Sequence, residues 1–246
     1  MINSGDANAL TGAQGMRDAQ RILARLEDRC GATSEYHSGA SASCHSYPVL
    51  DRLLRRAVDH SFHEISVDGD TSTSDAVILT AGGASMEPLS TPGAALSILG
   101  EAIVRVAREL AMRIVEDGEG ITRLMVLKVR GAPDHQAART IAEGTVRSPL
   151  VKTALAGGDP NWGRIIAAAG VQGVPLDTER LTLRIGGHPV FAASEPIEFD
   201  RSAVEAVFSS DIVPVELDLG LGPGEARMVT SDLGRRYVEI NSEYTT

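Results

Sequence analysis

The chain has 246 residues, of which 43% are hydrophobic and 23% charged, enough for one large α/β domain or two small ones. Its formal net charge of −10 argues against nucleic acid or an anionic membrane as a partner, because both need clustered lysine and arginine. Two cysteines and no long apolar run exclude a disulfide framework, a zinc site and a spanning helix, so we expect a soluble, unsecreted protein of the reducing cytoplasm.

The N-terminal piece, residues 1–31, is predicted to form a strand end, a loop and a helix. Ile2 ends the strand, Asn3 to Gly12 form a loop of small residues, and an amphipathic helix follows until Gly31. The loop is either a ligand-facing turn, since glycine and asparagine tolerate left-handed conformations, or a plain connection.

Residues 32–47 are small, polar and rich in serine, which is typical of a linker. Cys44 stands beside His45, with His37 nearby, and such residues could act as nucleophile and base. Catalytic partners usually meet through the fold and not as sequence neighbours, so we expect no dyad here.

Pro48 opens an amphipathic helix, and His60 and His63 at its end are expected to cap it and not to catalyse a reaction. A strand, Ile65 to Val67, then leads into a polar run, Asp68 to Asp75. Its three aspartates could bind a metal, but the downstream glutamate of a calcium loop is missing. We therefore favour a turn that hydrogen-bonds its own backbone and braces a site.

The middle of the chain predicts a buried strand, a long helix and a second strand. Val77 to Ala81 is the apolar run of the first strand, and the helix spans Thr91 to Glu116. Glu119 follows at the corner before a strand over Ile121 to Val129, where its carboxylate either meets a substrate ammonium group or is a solvated turn acid. The apolar face of the helix is predicted to consist of Leu96, Leu99, Ile103, Val106, Leu110 and Ile114.

The C-terminal part continues the alternation of helices and strands, which predicts a layered α/β architecture. Asp134 is positioned to cap a helix, and Gly186-Gly187 to turn a hairpin. The remaining predicted elements are a helix over His135 to Val146, hairpin strands at Leu181 to Ile185 and Pro189 to Phe191, a helix over Ser202 to Ser209, a strand over Ile212 to Leu219, a loop over Gly220 to Gly224, and a last helix with Tyr237, Val238 and Ile240.

A polar corner separates two short helices between Ser148 and Gly170. The first helix is predicted to be capped by Ser148, to begin at Pro149 and to stop at Gly157-Gly158; the second begins near Asn161. The corner between them, Asp159-Pro160-Asn161, either presents its N–H groups and side chains to a bound carboxylate or only packs.

The motifs SPLVKTA and GDPNWGRI of this region resemble the signature of the ornithine acetyltransferase family, bifunctional glutamate N-acetyltransferases of arginine biosynthesis. The resemblance covers residues 1–31 and 48–246. It implies a layered helix and sheet fold like that of self-processing N-terminal-nucleophile hydrolases, with a main α/β domain at 48–174 and a smaller one at 175–246. Matching motifs recur in order at Asn3 to Ala9, Val67 to Asp75, Gly118 to Gly120 and Tyr237 to Thr246.

The resemblance also implies acetyl transfer without a metal or cofactor. In this family a precursor cuts itself before a threonine, which takes acetyl from N-acetylornithine and passes it to glutamate. Glu119, Asn241 and Thr246 match the substrate-contacting positions of the family. We expect small-molecule substrates, an oligomer, and a corner that braces the ligand site. Motif residues without a definite role are Lys152, Asp159, Asn161 and Arg164.

One departure concerns the nucleophile. Between Gly31 and Pro48 the family has a long segment with the oxyanion-hole donors, a lysine and the Ala-Thr cleavage point, whereas this chain has residues 32–47 alone. We interpret Ala32-Thr33 as a coincidence and expect the family's region before Met1 to be absent. No catalytic residue is assigned, and the chain is an acetyltransferase, an inactive ligand-binding or subunit-like relative, or an incomplete gene model of an active enzyme.

Overall fold

The computed structural model describes residues 47–71, 75–81 and 93–243. They fall into two compact units, the first with residues 47–58, 71, 75–81 and 93–104, and the second with residues 59–70 and 105–243. The predictions for the N-terminal piece, for the linker up to residue 46 and for Thr246 lie outside the described residues.

The first unit contains helix α1 (Tyr47–Asp59) up to Val58 and the start of helix α2 (Ala94–Glu116). Helix α1 is amphipathic as predicted and buries Val49, Leu53 and Ala57 at a spacing of four residues. A Cβ atom added to Gly100 would lie 3.3 Å from Leu53 Cδ2. The absence of a side chain at Gly100 therefore allows the two helices to approach closely.

The predicted buried strand at Val77 to Ala81 is wrong. Residues 75–81 form no strand in the structure, and the side chains of Val77 and Ile78 are 40% and 47% exposed. A short apolar run fits an extended chain as well as a strand, and only hydrogen bonds to a neighbouring strand decide between them.

Helix α2 ends at Glu116 as predicted and begins at Ala94, three residues later than predicted, but its predicted apolar face is wrong. Leu99, Val106 and Leu110 are among its exposed side chains. The stripe that it buries consists of small and β-branched residues three and four positions apart, which let a helix pack closely. These residues are Gly100, Val104, Ala107, Ala111 and Val115.

The second unit is built on one sheet of seven strands in the spatial order β1-β7-β2-β6-β3-β4-β5. The pairs β1 with β7 and β2 with β6 are parallel, and the other neighbours are antiparallel. The strands are β1 (Ile65–Ser66), β2 (Leu124–Ala132), β3 (Thr182–Ile185), β4 (His188–Ala192), β5 (Glu195–Pro196), β6 (Ile212–Asp218) and β7 (Gly224–Ser231).

Helices cover both faces of this sheet. On one face, alternate buried residues of β2 and β6 lie side by side, as Leu127 does with Val215, and helices pack over them. On the other face, Val115 of α2 packs against Leu124 and Val229. The helices of this unit after α2 are α3 (His135–Arg147), α4 (Pro149–Ala156), α5 (Trp162–Gly170), α6 (Arg201–Val207) and α7 (Arg235–Glu243).

The layered α/β architecture predicted from the sequence is confirmed. Asp134 caps α3 by accepting a hydrogen bond from the Ala137 N–H, and the hairpin turns at Gly186-Gly187, both with positive φ. Strand β2 begins at Leu124, three residues later than predicted, because the Ile121 N–H is used in a turn to the Gly118 carbonyl.

Strands from both sides of residue 175 pair in the single sheet, since β2 lies between β7 and β6. The predicted domain boundary between residues 174 and 175 stays a prediction. In the described ranges, no helix is long and apolar enough to cross a membrane.

Candidate functional site

Two parallel strands end side by side at one edge of the sheet. Ile65 of β1 is in register with Val229 of β7, and Ser66 with Thr230. The segments that follow, Val67-Asp68 and Ser231-Asp232, are therefore neighbours. Polar groups at the carboxyl ends of adjacent parallel strands are a common basis of ligand sites.

Glu119 and Asn241 meet at this edge although 122 residues separate them. The Asn241 Nδ2 atom donates to Glu119 Oε2 at 2.7 Å and to the Tyr237 carbonyl at 3.0 Å. The loop and α7 approach closely at Gly120, whose φ is +65°. A Cβ atom there would lie 2.8 Å from the Tyr237 backbone nitrogen and from the Arg236 carbonyl carbon. Glycine at this position is therefore needed to bring Glu119 to Asn241.

Tyr237 connects the same helix to the predicted polar turn. Its hydroxyl donates to Asp68 Oδ2 at 3.3 Å, and Asp68 Oδ1 accepts from the Asp70 N–H at 2.8 Å. Burial raises the pKa of Tyr237, and the negative charges of Asp68, Glu119 and Asp70 raise it further. Three carboxylates thus contribute negative charge near the Tyr237 hydroxyl, and Asp68 is the one that accepts its hydrogen bond. Part of the predicted turn does hydrogen-bond its own backbone.

Lys152 lies beneath these groups, with 1% of its surface exposed. Its Nζ atom donates to the Val67 carbonyl at 2.6 Å and to Thr230 Oγ1 at 2.7 Å. It also donates to the Ser231 carbonyl and, at 3.5 Å, to Ser231 Oγ. Burial lowers the pKa of Lys152 to about 8, and the charges of Asp232 and Asp68 oppose that shift.

Asp232 fixes the loop that carries Glu119. Its side chain is 2% exposed and accepts from the Thr122 N–H at 2.9 Å and from the Thr122 hydroxyl at 2.5 Å. Its own N–H donates to the Arg123 carbonyl. Thr122 is three residues after Glu119, so the end of β7 holds both the loop and, through Lys152, the turn at Asp68.

The arrangement favours a cationic ligand. Glu119, Asp68 and Asp70 supply negative charge at a partly exposed surface, where an ammonium group would be attracted. Both N–H groups of the Asn241 amide are used, which leaves its Oδ1 atom as an acceptor. In the part of the chain that the structure describes, no group of three or more histidine, cysteine, aspartate or glutamate side chains could hold a metal ion.

The corner between α4 and α5 uses most of its polar groups internally. Asn161 Oδ1 accepts from the Arg164 N–H at 3.2 Å, and Asn161 Nδ2 donates to Asp159 Oδ2 at 3.0 Å. The Arg164 guanidinium donates to the Leu150 carbonyl of α4 at 3.0 Å. A cleft of about 260 Å³ lies beside the corner. The hydrogen bonds of Asn161 and Arg164 within the corner favour the interpretation that it packs over the expectation that it faces a ligand.

The remaining features of the corner agree with packing. The Trp162 and Phe191 ring centroids are 5.4 Å apart. Helix α4 begins at Pro149 and ends at Ala156 as predicted, but Ser148 makes no side-chain cap hydrogen bond. Arg164 of the corner also donates to Thr153 Oγ1 of α4 at 3.3 Å. The corner is thus attached to α4, the helix that carries Lys152.

Of the predicted substrate-contacting residues, the structure places Glu119 and Asn241 in direct contact, and Thr246 lies outside the described residues.

His60 and His63 each lie near a carboxylate, Glu64 and Asp59 respectively. Sequence reasoning missed Asp232 and Thr230, because it did not recognise β7. A signal for Lys152 was present, since it is the one charged residue in the apolar helix PLVKTALA.

Comparisons with known proteins identify the family of this chain. The model of the ArgJ family matches residues 40–246, which is most of the chain. The chain belongs to the ArgJ family. The family resemblance predicted from the motifs is thereby confirmed, while the resemblance at residues 1–31 lies outside the matched span and stays a prediction.

Two ArgJ relatives show how much of the family's length is represented. The "Arginine biosynthesis bifunctional protein ArgJ" of Thermosynechococcus vestitus is 44% identical over 214 residues, covering 80% of this chain and 51% of the relative. That of Thermotoga neapolitana is 43% identical over 206 residues, covering 82% and 52%. The chain spans about half the length of the curated relatives it matches.

A solved ArgJ structure has the same fold. The crystal structure of the arginine biosynthesis bifunctional protein ArgJ from Bacillus halodurans is 36% identical, with a TM-score of 0.77. The match covers 80% of this chain and 94% of that chain. The α/β fold of the ArgJ family therefore extends over most of the present chain.

Proposed function

We propose that this chain supplies the substrate-recognition pocket of an ornithine acetyltransferase, a glutamate N-acetyltransferase that moves acetyl from N-acetylornithine to glutamate. The observation that carries the proposal is the 2.7 Å hydrogen bond between Asn241 and Glu119. Both residues match substrate-contacting positions of the family, and they come together from distant parts of the sequence.

Charge complementarity supports this choice of substrate. N-acetylornithine has one ammonium group, at the end of its side chain, and it has an amide N–H near its acetyl group. The Glu119 carboxylate attracts the ammonium group, Asp68 and Asp70 add to the negative charge of the pocket, and Asn241 Oδ1 accepts an N–H from the ligand. The residues of this pocket bind and orient the ligand, and no proton transfer is assigned to them.

The reaction requires a threonine hydroxyl as the acetyl acceptor. Its oxygen attacks the acetyl carbonyl, the amide C–N bond breaks, and the released amine of ornithine takes the hydroxyl proton. The amine of glutamate then attacks the resulting ester, N-acetylglutamate leaves, and the threonine oxygen regains a proton. We assign this threonine to no residue of the present chain.

A second candidate is a subunit-like ligand-binding role, in which another polypeptide supplies the threonine. The coverage figures support it: this chain matches 94% of the solved Bacillus halodurans ArgJ chain but about half of each curated relative. In either role we propose a cytoplasmic, oligomeric protein with small-molecule ligands. The two roles differ in one measurable respect, acetyl transfer to glutamate by the purified chain.

Ligand-induced thermal stabilisation tests the pocket. We expect N-acetyl-L-ornithine at millimolar concentration to raise the melting temperature by mass action. N-acetyl-L-norvaline has the same carbon chain without the ammonium group and should raise it less. Glu119→Gln should abolish that difference, because it removes the charge that the ammonium group recognises.

Glu116→Gln is the matched control, since Glu116 is an exposed glutamate three positions earlier. It should leave both thermal shifts as they are in the unmodified chain. Equal stabilisation by the two ligands in the unmodified chain would contradict the pocket. Acetyl transfer to glutamate by the purified chain would support the acetyltransferase and exclude the subunit-like role.

A further inference from the structure

We propose that Lys152 is a positioning residue of this pocket: its buried ammonium group closes a ring of contacts that sets the distance between Glu119 and Asn241. The inference rests on the proposed function for the identity of the ligand, but the ring itself is a property of the folded chain. Lys152 makes no direct hydrogen bond to Glu119 or Asn241 among the described residues, so it acts through others.

One side of the ring runs from Lys152 to Asn241 through the polar turn. The Lys152 ammonium holds the Val67 carbonyl at 2.6 Å, and Ser231 Oγ donates to the same carbonyl at 2.9 Å. The next residue, Asp68, accepts from the Tyr237 hydroxyl. The backbone carbonyl of Tyr237 accepts from the side-chain amide of Asn241, one helical turn later. The position of Val67 is therefore transmitted to Asn241 over two side-chain contacts.

The other side of the ring runs through the end of β7. Lys152 Nζ holds both Thr230 Oγ1 and the Ser231 carbonyl. The next residue, Asp232, binds Thr122 with two hydrogen bonds. Thr122 lies at the end of the loop that carries Glu119. The Glu119 carboxylate accepts from the Asn241 amide, and this hydrogen bond completes the ring. The Leu233 N–H also donates to the Lys152 carbonyl at 3.2 Å, so side chain and backbone of Lys152 hold the same segment.

A lysine is well suited to this point of the ring. An ammonium group has three donors and no acceptor, and here it faces carbonyl and hydroxyl oxygens from two strand ends. A hydrophobic side chain of similar length would leave these acceptors without the donor that joins them. Of the hydrogen bonds described above between the ends of β1 and β7, the one from the Ser231 hydroxyl to the Val67 carbonyl would then remain.

The test measures the affinity for N-acetyl-L-ornithine by calorimetry and the side-chain amide signal of Asn241 by NMR. Lys152→Met should weaken the affinity at least tenfold and shift or broaden the Asn241 amide signal, which is assigned from its loss in Asn241→Asp. The control is Lys128→Met, since Lys128 is the other lysine of the chain and is 44% exposed. It should change neither quantity.

A second control separates positioning from stability. Leu183→Ala removes a fully buried side chain of β3, so it should lower the melting temperature while the affinity stays within twofold and the Asn241 signal is unmoved. Thr230→Val is a milder change that removes one acceptor of Lys152. It should shift the Asn241 signal in the same direction as Lys152→Met, by less, and so serves if Lys152→Met does not fold.

The outcomes distinguish this proposal from the proposed function. If the unmodified chain binds no N-acetyl-L-ornithine, the proposed function fails, and the Asn241 signal alone decides about the ring. An Asn241 signal unchanged by Lys152→Met and Thr230→Val would overturn the positioning role. Equal losses of affinity in Lys152→Met and Leu183→Ala would overturn it as well, because they would reflect stability.

Discussion

Lys152 holds a charge in a place where water is excluded, and its hydrogen bonds go to carbonyl and hydroxyl oxygens. Asp232 and Asp68 act on it only through their fields, and burial outweighs them, so its pKa falls from 10.5 to about 8. A group whose pKa differs between the folded and unfolded chain makes the free energy of unfolding depend on pH.

We predict that the unmodified chain gains stability relative to Lys152→Met between pH 8 and 10.5. In this window the folded chain has released the Lys152 proton and the unfolded chain still binds it, so the unfolded state binds more protons and stability rises with pH. One pKa unit corresponds to about 1.4 kcal/mol, which limits the gain to roughly 3 kcal/mol. Urea denaturation of both proteins over this range measures the difference. A difference that is constant with pH would contradict a depressed pKa of Lys152.

Gly120 is a second residue on which the pocket depends. Gly120→Ala should lower the free energy of unfolding by about 1 to 3 kcal/mol, because an alanine would have positive φ and its Cβ would lie 2.8 Å from backbone atoms of α7. The same substitution should displace Asn241 from Glu119 and weaken ligand binding. Denaturation and calorimetry on the same sample measure both effects.

Gly170→Ala is the matched control. Nothing lies within 4 Å of an added Cβ at Gly170, which ends α5. This change should be neutral or stabilise by about 0.5 to 1 kcal/mol, since it only reduces the freedom of the unfolded chain. If Gly120→Ala behaved like Gly170→Ala, the close approach of the Glu119 loop to α7 would not matter.

At the scale of elements, the corner between α4 and α5 is a clamp on α4. We predict that Asn161→Ala costs about 1 kcal/mol, the usual effect of removing a helix cap, and that Arg164→Ala costs a similar amount. Neither should change the affinity for N-acetyl-L-ornithine by more than about twofold. Trp162→Ala should cost about 3 kcal/mol, because the ring packs on Phe191. A large loss of affinity in Asn161→Ala without loss of stability would restore the ligand-facing interpretation.

Elements with local signals were predictable from the sequence, and elements without them were not. Asp134 at a helix start and Gly186-Gly187 in a hairpin specify their structures through caps and positive φ. Strand β7 was missed because its residues Glu225 and Arg227 interrupt a short apolar pattern, although the second half of the strand is buried and lies between β1 and β2 in the sheet. The face of α2 was assigned wrongly because large apolar residues were weighted over Gly100 and the small ones.

The candidate site was predictable only in part. Glu119 and Asn241 were proposed through motifs of the family. Nothing in the local sequence distinguishes a turn glutamate that binds a ligand from one that is only solvated. Their contact through a 2.7 Å hydrogen bond, and the roles of Lys152, Asp232 and Thr122, depend on which strand ends lie side by side. Strand order is set by long-range pairing, which a single sequence does not reveal.

At the scale of the whole molecule, we predict that the chain does not process itself. The family resemblance implies that residues 32–47 stand in place of the cleavage segment, so we expect no threonine in the context that self-cleavage needs. Denaturing mass spectrometry of the purified protein should give one species near 25.9 kDa. Two fragments that meet before a threonine would show a nucleophile in this chain and would identify it directly.

The most direct test of the pocket is a crystal structure of the full chain grown with saturating N-acetyl-L-ornithine. The ligand's ammonium group should lie within hydrogen-bonding distance, about 3 Å, of the Glu119 carboxylate, with Asn241 Oδ1 facing a ligand N–H. Lys152 should remain bound to Val67, Thr230 and Ser231. A ligand bound at another place, with Glu119 and Asn241 still facing each other unoccupied, would contradict the account.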